Sequence, residues 1–410
     1  MLNRMLAAAQ TLLAARVTPV GRGAIATIRV TISQDPASRG TAPSFNAADA
    51  DPNEAFSRLD SLFAAANQRP LSEQLLHVIA FGKWGVTNPE ELVVCRAVAD
   101  ALEIHCHGGE AAVTRILQDL SGVGCRVVDW RDQLLADSDT LEVECADVLS
   151  RATTWRTTES VLAQSNGLLR TVFSQLAVAF PAAIELLGGT ADAGAATALP
   201  PTVVATAQQQ VAELLEWAEF GLHLSSPWHI VLTGRPNVGK SSLINALLGY
   251  QRAIVFDEPG TTRDVVTGDT AFEGWPVILA DTAGIRRDAG GLEAAGIALA
   301  RERLRDADLK LILVDVSESP TAEDHELLQE WTDALVVGHK SDRGNRWGGQ
   351  LPANAILVSS VTGDGLIELQ RQIVARLIPA VPPPETPLPL TRRQVEILRC
   401  LQADVDSKSS

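Results

Sequence analysis

A chain of 410 residues is long enough for two or three domains with cores of their own, and 46% hydrophobic with 20% charged residues is the composition of an ordinary globular protein. A net charge of −16 without any long Lys/Arg run argues against broad electrostatic binding of nucleic acid and leaves room for a local basic face only. Five cysteines (Cys95, Cys106, Cys125, Cys145 and Cys400) form no C-x-x-C pair, which fits reduced thiols of the cytosol rather than a disulfide framework.

The opening MLNRMLAAAQTLLAARV is apolar and short. A signal peptide is one reading, but GRGAIATIRV follows at once as a folded strand, so a cytoplasmic start is expected. No run approaches the length of a membrane span, and no membrane partner is expected. TPVGRG and AIATIRV read as turn and strand within 17–33, and the Ser/Pro/Ala/Asp-rich stretch 34–55 as a loop. LLHVIAFGKW (75–84) and ALEIHCH (101–107) are further strands, and GGEAAVTRILQDLSGVG (108–124) is an amphipathic helix ending at Gly. This alternation describes an α/β domain over 1–124. His105-Cys106-His107 invites a metal reading, but strand neighbours point to opposite faces, and an ordinary strand is the favoured reading.

From 125 to 226 Leu, Ala, Val and Glu recur at helical spacing, as in VECADVLSRA and QQQVAELLEWAEFGL, with a break at GGTADAGAATALPPT (188–202). That is a helical domain. From 227 to 380 the strands WHIVLTG (228–234), PVILADT (276–282), LKLILVDV (309–316), ALVVGHK (334–340) and AILVSS (355–360) alternate with helices near 291–306, 321–332 and 364–377, the pattern of a doubly wound parallel sheet. A Pro-rich linker over 378–390 leads to TRRQVEILRCLQ, a last helix that completes the helical domain over 385–410, with Cys400 read as a core residue.

GRPNVGKSSLINALLG carries the spacing Gly234-x-x-x-x-Gly239-Lys240-Ser241 of a phosphate-binding loop, after a strand and before a helix as that loop requires. Asn237, Val238, Gly239, Lys240, Ser241 and Ser242 are the candidate phosphate contacts. Lys240 brings charge to the β and γ phosphates, and Ser241 offers a hydroxyl to Mg2+. Asp281-Thr282-Ala283-Gly284 closes a strand; Asp281 can hold Mg2+ through water, and the Gly284 N–H can sense the γ-phosphate. In the loop between them Thr261 is a nucleotide contact and Thr262 the second hydroxyl for Mg2+, the arrangement of a GTPase switch. His339-Lys340-Ser341-Asp342 occupies the place of an N/T-K-x-D base loop. Asp342 accepts from guanine N1 and N2, the Lys340 stem covers the base, and Ser359 and Ser360 support it by backbone N–H. These elements, in GTPase order, point to GTP and GDP. His339 stands where Asn is expected and replaces only some of its hydrogen bonds; at about 1 kcal/mol per lost bond, a weaker site is expected rather than an empty one.

Together with GTTRDVV, DTAGIRR followed by GLEAAGI, GRGAIATIRV and HCHGG, that loop resembles the MnmE (TrmE) family of tRNA-modification GTPases. The resemblance covers the N-terminal and GTPase segments well and the helical segment weakly; the GTPase motifs alone would also suit ribosome-assembly GTPases. It implies a P-loop GTPase domain inserted in the helical domain, hydrolysis of GTP with Mg2+ and K+, and a homodimer formed through the N-terminal domain. Asn237 matches the family's potassium-ligating Asn, FDEPGTT (256–262) the loop that wraps the ion, and Glu293 the catalytic carboxylate that orients water. A one-carbon tetrahydrofolate derivative is also implied. Arg29 matches one of its contacts, while the acidic position falls on or near Ala99, with Asp100 and Glu103 as substitutes, and the Lys position falls on Ser138. The family's terminal C-[ILV]-G-K has no counterpart after LRCLQ, so the chain reads as a divergent member with a shortened C-terminal segment. An MnmG-like flavoprotein and tRNA are the implied partners. A GTP-regulated dimeric switch without folate chemistry is the alternative. A ribosome-assembly GTPase is disfavoured by the acidic charge and the lack of a KH-like GxxG.

Overall fold

In the computed structural model, which describes residues 11–20, 23–33, 52–189, 200–249, 267–281 and 305–408, the chain divides after Val143 into two units. Among its described residues the first holds seven strands: β1 (Thr11–Arg16), β2 (Ile25–Ser33), β3 (Phe63–Ala65), β4 (Ile79–Trp84), β5 (Glu90–Val98), β6 (Ala101–His107) and β7 (Arg126–Val127). They form one sheet in the order β3-β4-β5-β6-β2-β1-β7, antiparallel except where β7 joins β1. Alternate residues Ile28 and Val30 of β2, Val94 of β5, and Leu102 and Ile104 of β6 enter one core. It is closed by α1 (Pro52–Phe56) and by Val113, Ile116 and Leu120 of α2 (Glu110–Gly122).

The sequence reading places the first strand too late. β1 is the apolar run TLLAAR; Leu12, Leu13, Ala14 and Ala15 are all buried, so no alternation marks it as a strand. Its second face is covered by α3 (Trp130–Asp137), whose Gln133 donates to the Leu13 carbonyl and the Thr31 hydroxyl. β3, β5 and β7 were also not anticipated. GRGAIATIRV and HCHGG meet directly: the Gly108 N–H donates to the Ala24 carbonyl at 3.1 Å, and a Cβ at Gly108 would strike the Gly23 carbonyl. Cys106 is in the core, where burial pushes its thiol up to about 11. His105 and His107 share the other face, bonded to Thr27 Oγ1 at 3.0 Å and Glu90 Oε1 at 2.9 Å.

The division between the units falls inside α4 (Thr140–Arg151). The second unit continues with α5 (Trp155–Ala163), α6 (Leu169–Ala179), α7 (Pro201–Glu216) and α8 (Ala218–Leu222). Its strands are β8 (Trp228–Thr233), β9 (Thr267–Phe272), β10 (Trp275–Asp281), β11 (Leu309–Asp315), β12 (Leu335–His339) and β13 (Ile356–Val358). With them come α9 (Lys240–Gly249), α10 (Ala322–Glu330) and α11 (Leu366–Leu377), and after them α12 (Arg392–Lys408). The sheet order is β13-β12-β11-β8-β10-β9, parallel except for β9. The five expected strands are all present. β9 was missed because its signal is the two-residue turn Glu273-Gly274, both left-handed at φ 50° and 85°, rather than apolar content.

The last segment returns to the earlier helices. Arg393 pairs with Glu144 at 2.7 Å, and buried Gln164 donates to the Thr386 carbonyl and accepts the Leu388 N–H, both at 3.1 Å. Val395, Leu398 and Leu401 form the buried stripe of α12, so Cys400, expected in the core, faces outward. The expected break at 188–202 lies largely outside the described residues, as do most of the helix at 291–306 and of the loop at 34–55. Among the described residues no helix is long and apolar enough to cross a membrane.

Candidate nucleotide site

In an open parallel sheet the crevice beyond the carboxyl ends of the strands is where ligands bind. Here β8 runs into the loop Gly234–Gly239, β10 ends at Asp281, and β11 and β12 end in register at Asp315 and His339. Gly239 adopts φ +104°, and a Cβ there would strike the His339 ring; only glycine fits the conformation and the space together. Asn237, at the crest of the loop, is left-handed at φ +63°. The Lys240 ammonium is nearly buried and donates to the Gly234 and Arg235 carbonyls at 2.8 and 3.0 Å. Ser241 donates its hydroxyl to Asp281 Oδ2 at 3.0 Å, which brings a hydroxyl and a buried carboxylate together, two hard oxygen donors of the kind Mg2+ takes. Ser242 is exposed on the first turn of α9.

The candidate base loop, which starts at His339, is fastened onto the candidate phosphate loop. His339 is 3% exposed; its Nδ1 lies 2.8 Å from the Val238 carbonyl and its Nε2 2.6 Å from Ser360 Oγ. A carbonyl only accepts, so Nδ1 carries the proton; in the neutral ring Nε2 then accepts from the Ser360 hydroxyl. Burial holds its pKa below the ordinary value, which favours that form. Lys340, left-handed at φ +62°, donates to the Asn237 carbonyl at 3.0 Å and pairs with Asp315 Oδ2 at 2.6 Å. Asp342 is exposed in the turn that follows. A hydrogen bond from the fully buried Ser359 holds its carboxyl below the usual carboxylate range. Ser359 Oγ in turn accepts the N–H groups of Val361 and Thr362, both at 3.2 Å, which fixes the loop after β13.

The structure therefore brings Asn237, Val238, Gly239, Lys240, Ser241, Asp281, His339, Lys340, Asp342, Ser359 and Ser360 to one end of the sheet. Thr261, Thr262, Gly284, Glu293 and the segment 256–262 lie outside the described residues. Arg29 is in the first unit, opposite Glu103 in the β2–β6 register. Two groups at the site were not anticipated. Asp315 falls within the strand LKLILVDV; its sequence signal is an acidic residue at the carboxyl end of a central parallel strand. Arg235 donates to the fully buried Asp324 at 2.8 Å, and Asp324 also closes the capping box of α10 with Thr321.

A family model described as 50S ribosome-binding GTPase matches residues 229–340. The tRNA modification GTPase MnmE of Geobacillus thermodenitrificans (strain NG80-2) is 33% identical over 355 residues, covering 80% of this chain and 72% of that protein. MnmE of Geobacillus kaustophilus (strain HTA426) is 32% identical over 359 residues, covering 82% and 73%. A mitochondrial 5-taurinomethyluridine-tRNA synthase subunit of Homo sapiens is 34% identical over 337 residues, covering 74% and 68%.

Proposed function

This chain belongs to the MnmE family of tRNA modification GTPases and is a GTP-hydrolysing enzyme, and from that premise we propose how its residues share the work. Guanine sits against Lys340 and Asp342 with Ser359 and Ser360 behind it, and the phosphates lie along Asn237–Ser242. The observation that carries this reading is the pair of links from His339 to Val238 and from Lys340 to Asn237, which hold the base loop and the phosphate loop as one cradle. Ser241, Asp281 and Thr262 would hold Mg2+, which supplies charge neutralisation at the β and γ phosphates. Asn237 would offer its side-chain oxygen to K+ beside the same phosphates, and Glu293 would orient the attacking water. We read 227–380 as the GTPase domain, inserted between helical segments 125–226 and 385–410, with 1–124 as the dimerising domain.

Modification of tRNA together with an MnmG-like flavoprotein goes with family membership. The folate part of that chemistry is only partly matched: Arg29 matches one contact, and Asp100 and Glu103, the latter opposite Arg29 in the β2–β6 register, are acidic substitutes, but Ala99 itself carries no acidic group and Ser138, at the end of α3, no cation. That favours, as a second reading, a GTP-regulated dimeric switch without one-carbon chemistry; binding of tetrahydrofolate to the purified chain separates the two.

The base-loop assignment is tested with Asp342→Asn. A carboxylate accepts from the N1–H and the 2-amino group of guanine, whereas an amide also donates and suits the 2-oxo group of xanthine. The variant should bind GDP at least about tenfold more weakly than the wild type and prefer XDP. Unchanged GDP affinity would remove Asp342 from the site.

A further inference from the structure

Lys340 makes its contacts because something holds it. Its backbone is left-handed at φ +62°, uncommon for a lysine, and its ammonium spans from β12 to the crest of the phosphate loop at Asn237. The group that fixes it is Asp315. This carboxylate is 3% exposed and sits at the end of β11, directly beside His339 in the parallel register. Every face of Asp315 is engaged. Oδ2 takes the Lys340 ammonium at 2.6 Å, Oδ1 takes the Ser317 N–H at 2.9 Å and hydroxyl at 2.6 Å, and its main-chain carbonyl takes the buried Trp347 indole N–H at 2.9 Å. A long flexible ammonium stem is thereby given one position, and the entropy of ordering it is met before nucleotide arrives.

We propose that Asp315 is a positioning residue for guanine-nucleotide binding: anchored by Ser317 and Trp347, it holds the Lys340 ammonium so that one side chain covers the base and fastens the Asn237 carbonyl of the phosphate loop. This rests on the reading of Lys340 and Asp342 as the base loop. It assigns a role to an acidic residue outside every nucleotide motif of the chain. Asp315 does not touch nucleotide; it acts through Lys340, so its removal weakens binding and leaves chemistry in the saturated enzyme nearly untouched.

The test is binding of fluorescent GDP, with GTP turnover in parallel, for the wild type, Asp315→Asn, Lys340→Met and the double variant. Asparagine is close to isosteric and keeps an acceptor for the Ser317 N–H, and thermal melts check that each variant is folded. Asp315→Asn is expected to weaken GDP binding about tenfold and to raise KM for GTP similarly, with kcat within about twofold. The double variant is expected to bind like Lys340→Met alone, because the carboxylate acts only through the ammonium. GDP binding by Asp315→Asn within about twofold of the wild type would overturn the proposal, as would losses that add in full in the double variant. If Asp315→Asn alone does not fold, the comparison of Lys340→Met with the double variant, from which both charges are gone, still decides between coupled and independent action. A failed Asp342→Asn exchange with coupled Asp315 and Lys340 effects would fault the base assignment instead; the reverse pattern would fault the positioning role.

Discussion

His339 fills a position where an amide side chain is expected, and it makes two side-chain links there. The imidazole is longer than an asparagine side chain, which lets one ring reach the Val238 carbonyl and the Ser360 hydroxyl from opposite nitrogens while packing against Gly239. The cost is a titratable group in a buried place. Its pKa in the folded chain lies below the ordinary 6.5, chiefly because burial penalises the charged form. The unfolded chain therefore takes up a proton first as the solution is acidified. The stability His339 contributes is full above about pH 6.5 and is lost as pH falls toward the lowered value. His339→Asn removes that titration. Measured by urea unfolding from about pH 7 to about pH 5, the wild type should lose more stability than this variant; parallel curves would mean that His339 does not titrate against burial.

Between α8 and the sheet of the second unit the packing is aromatic. The Phe220 and Trp275 rings meet edge-on at 5.3 Å, the Arg156 guanidinium lies over Trp275 at 5.3 Å, and His223 stacks on Trp228 at 4.7 Å. His223 also faces Asp308, which leads into β11, with Nε2 3.5 Å from Oδ1, while Asp308 Oδ2 accepts the His229 N–H at 2.6 Å. Burial alone would lower the His223 pKa, but the hydrogen bond and charge of Asp308, with Glu219 nearby, outweigh it and raise the value. The Asp308 carboxyl is lowered in turn, against its own burial, by His223 and His229. The sign is opposite to that at His339. This pair stabilises fully below the ordinary His value of 6.5, and its contribution fades as pH rises through the raised value. Replacing His223 with Gln should cost about 1 kcal/mol near pH 6 and less near pH 8, read from urea unfolding at both. An equal cost at both would show that stacking on Trp228, not the charge pair, holds this joint.

Across the whole chain, the sequence was most legible where one chemistry demands one spacing. The strands of the second unit lie where their apolar runs put them, and the loop from Gly234 to Ser241 and His339-Lys340-Ser341-Asp342 come together at one end of their sheet; both were readable because a GTPase fixes residue types at fixed offsets. What stayed hidden was set by tertiary surroundings. β1 is buried on both faces and so resembled a leader. Cys400 was placed in the core on its residue type, while its angle on α12 turns it to solvent. Asp315 joins the site only because the parallel register of β11 and β12 brings its carboxylate to Lys340, and no local pattern encodes a register. The one measurement that bears most directly on the whole is GTP turnover by the full chain with Mg2+, in potassium against sodium salt at equal ionic strength, with nucleotide binding followed alongside. Turnover is expected to be at least about tenfold faster in potassium, and Glu293→Ala should remove that gain while nucleotide still binds. The same turnover in both salts, or full activity in Glu293→Ala, would contradict a potassium-assisted GTPase built on these residues.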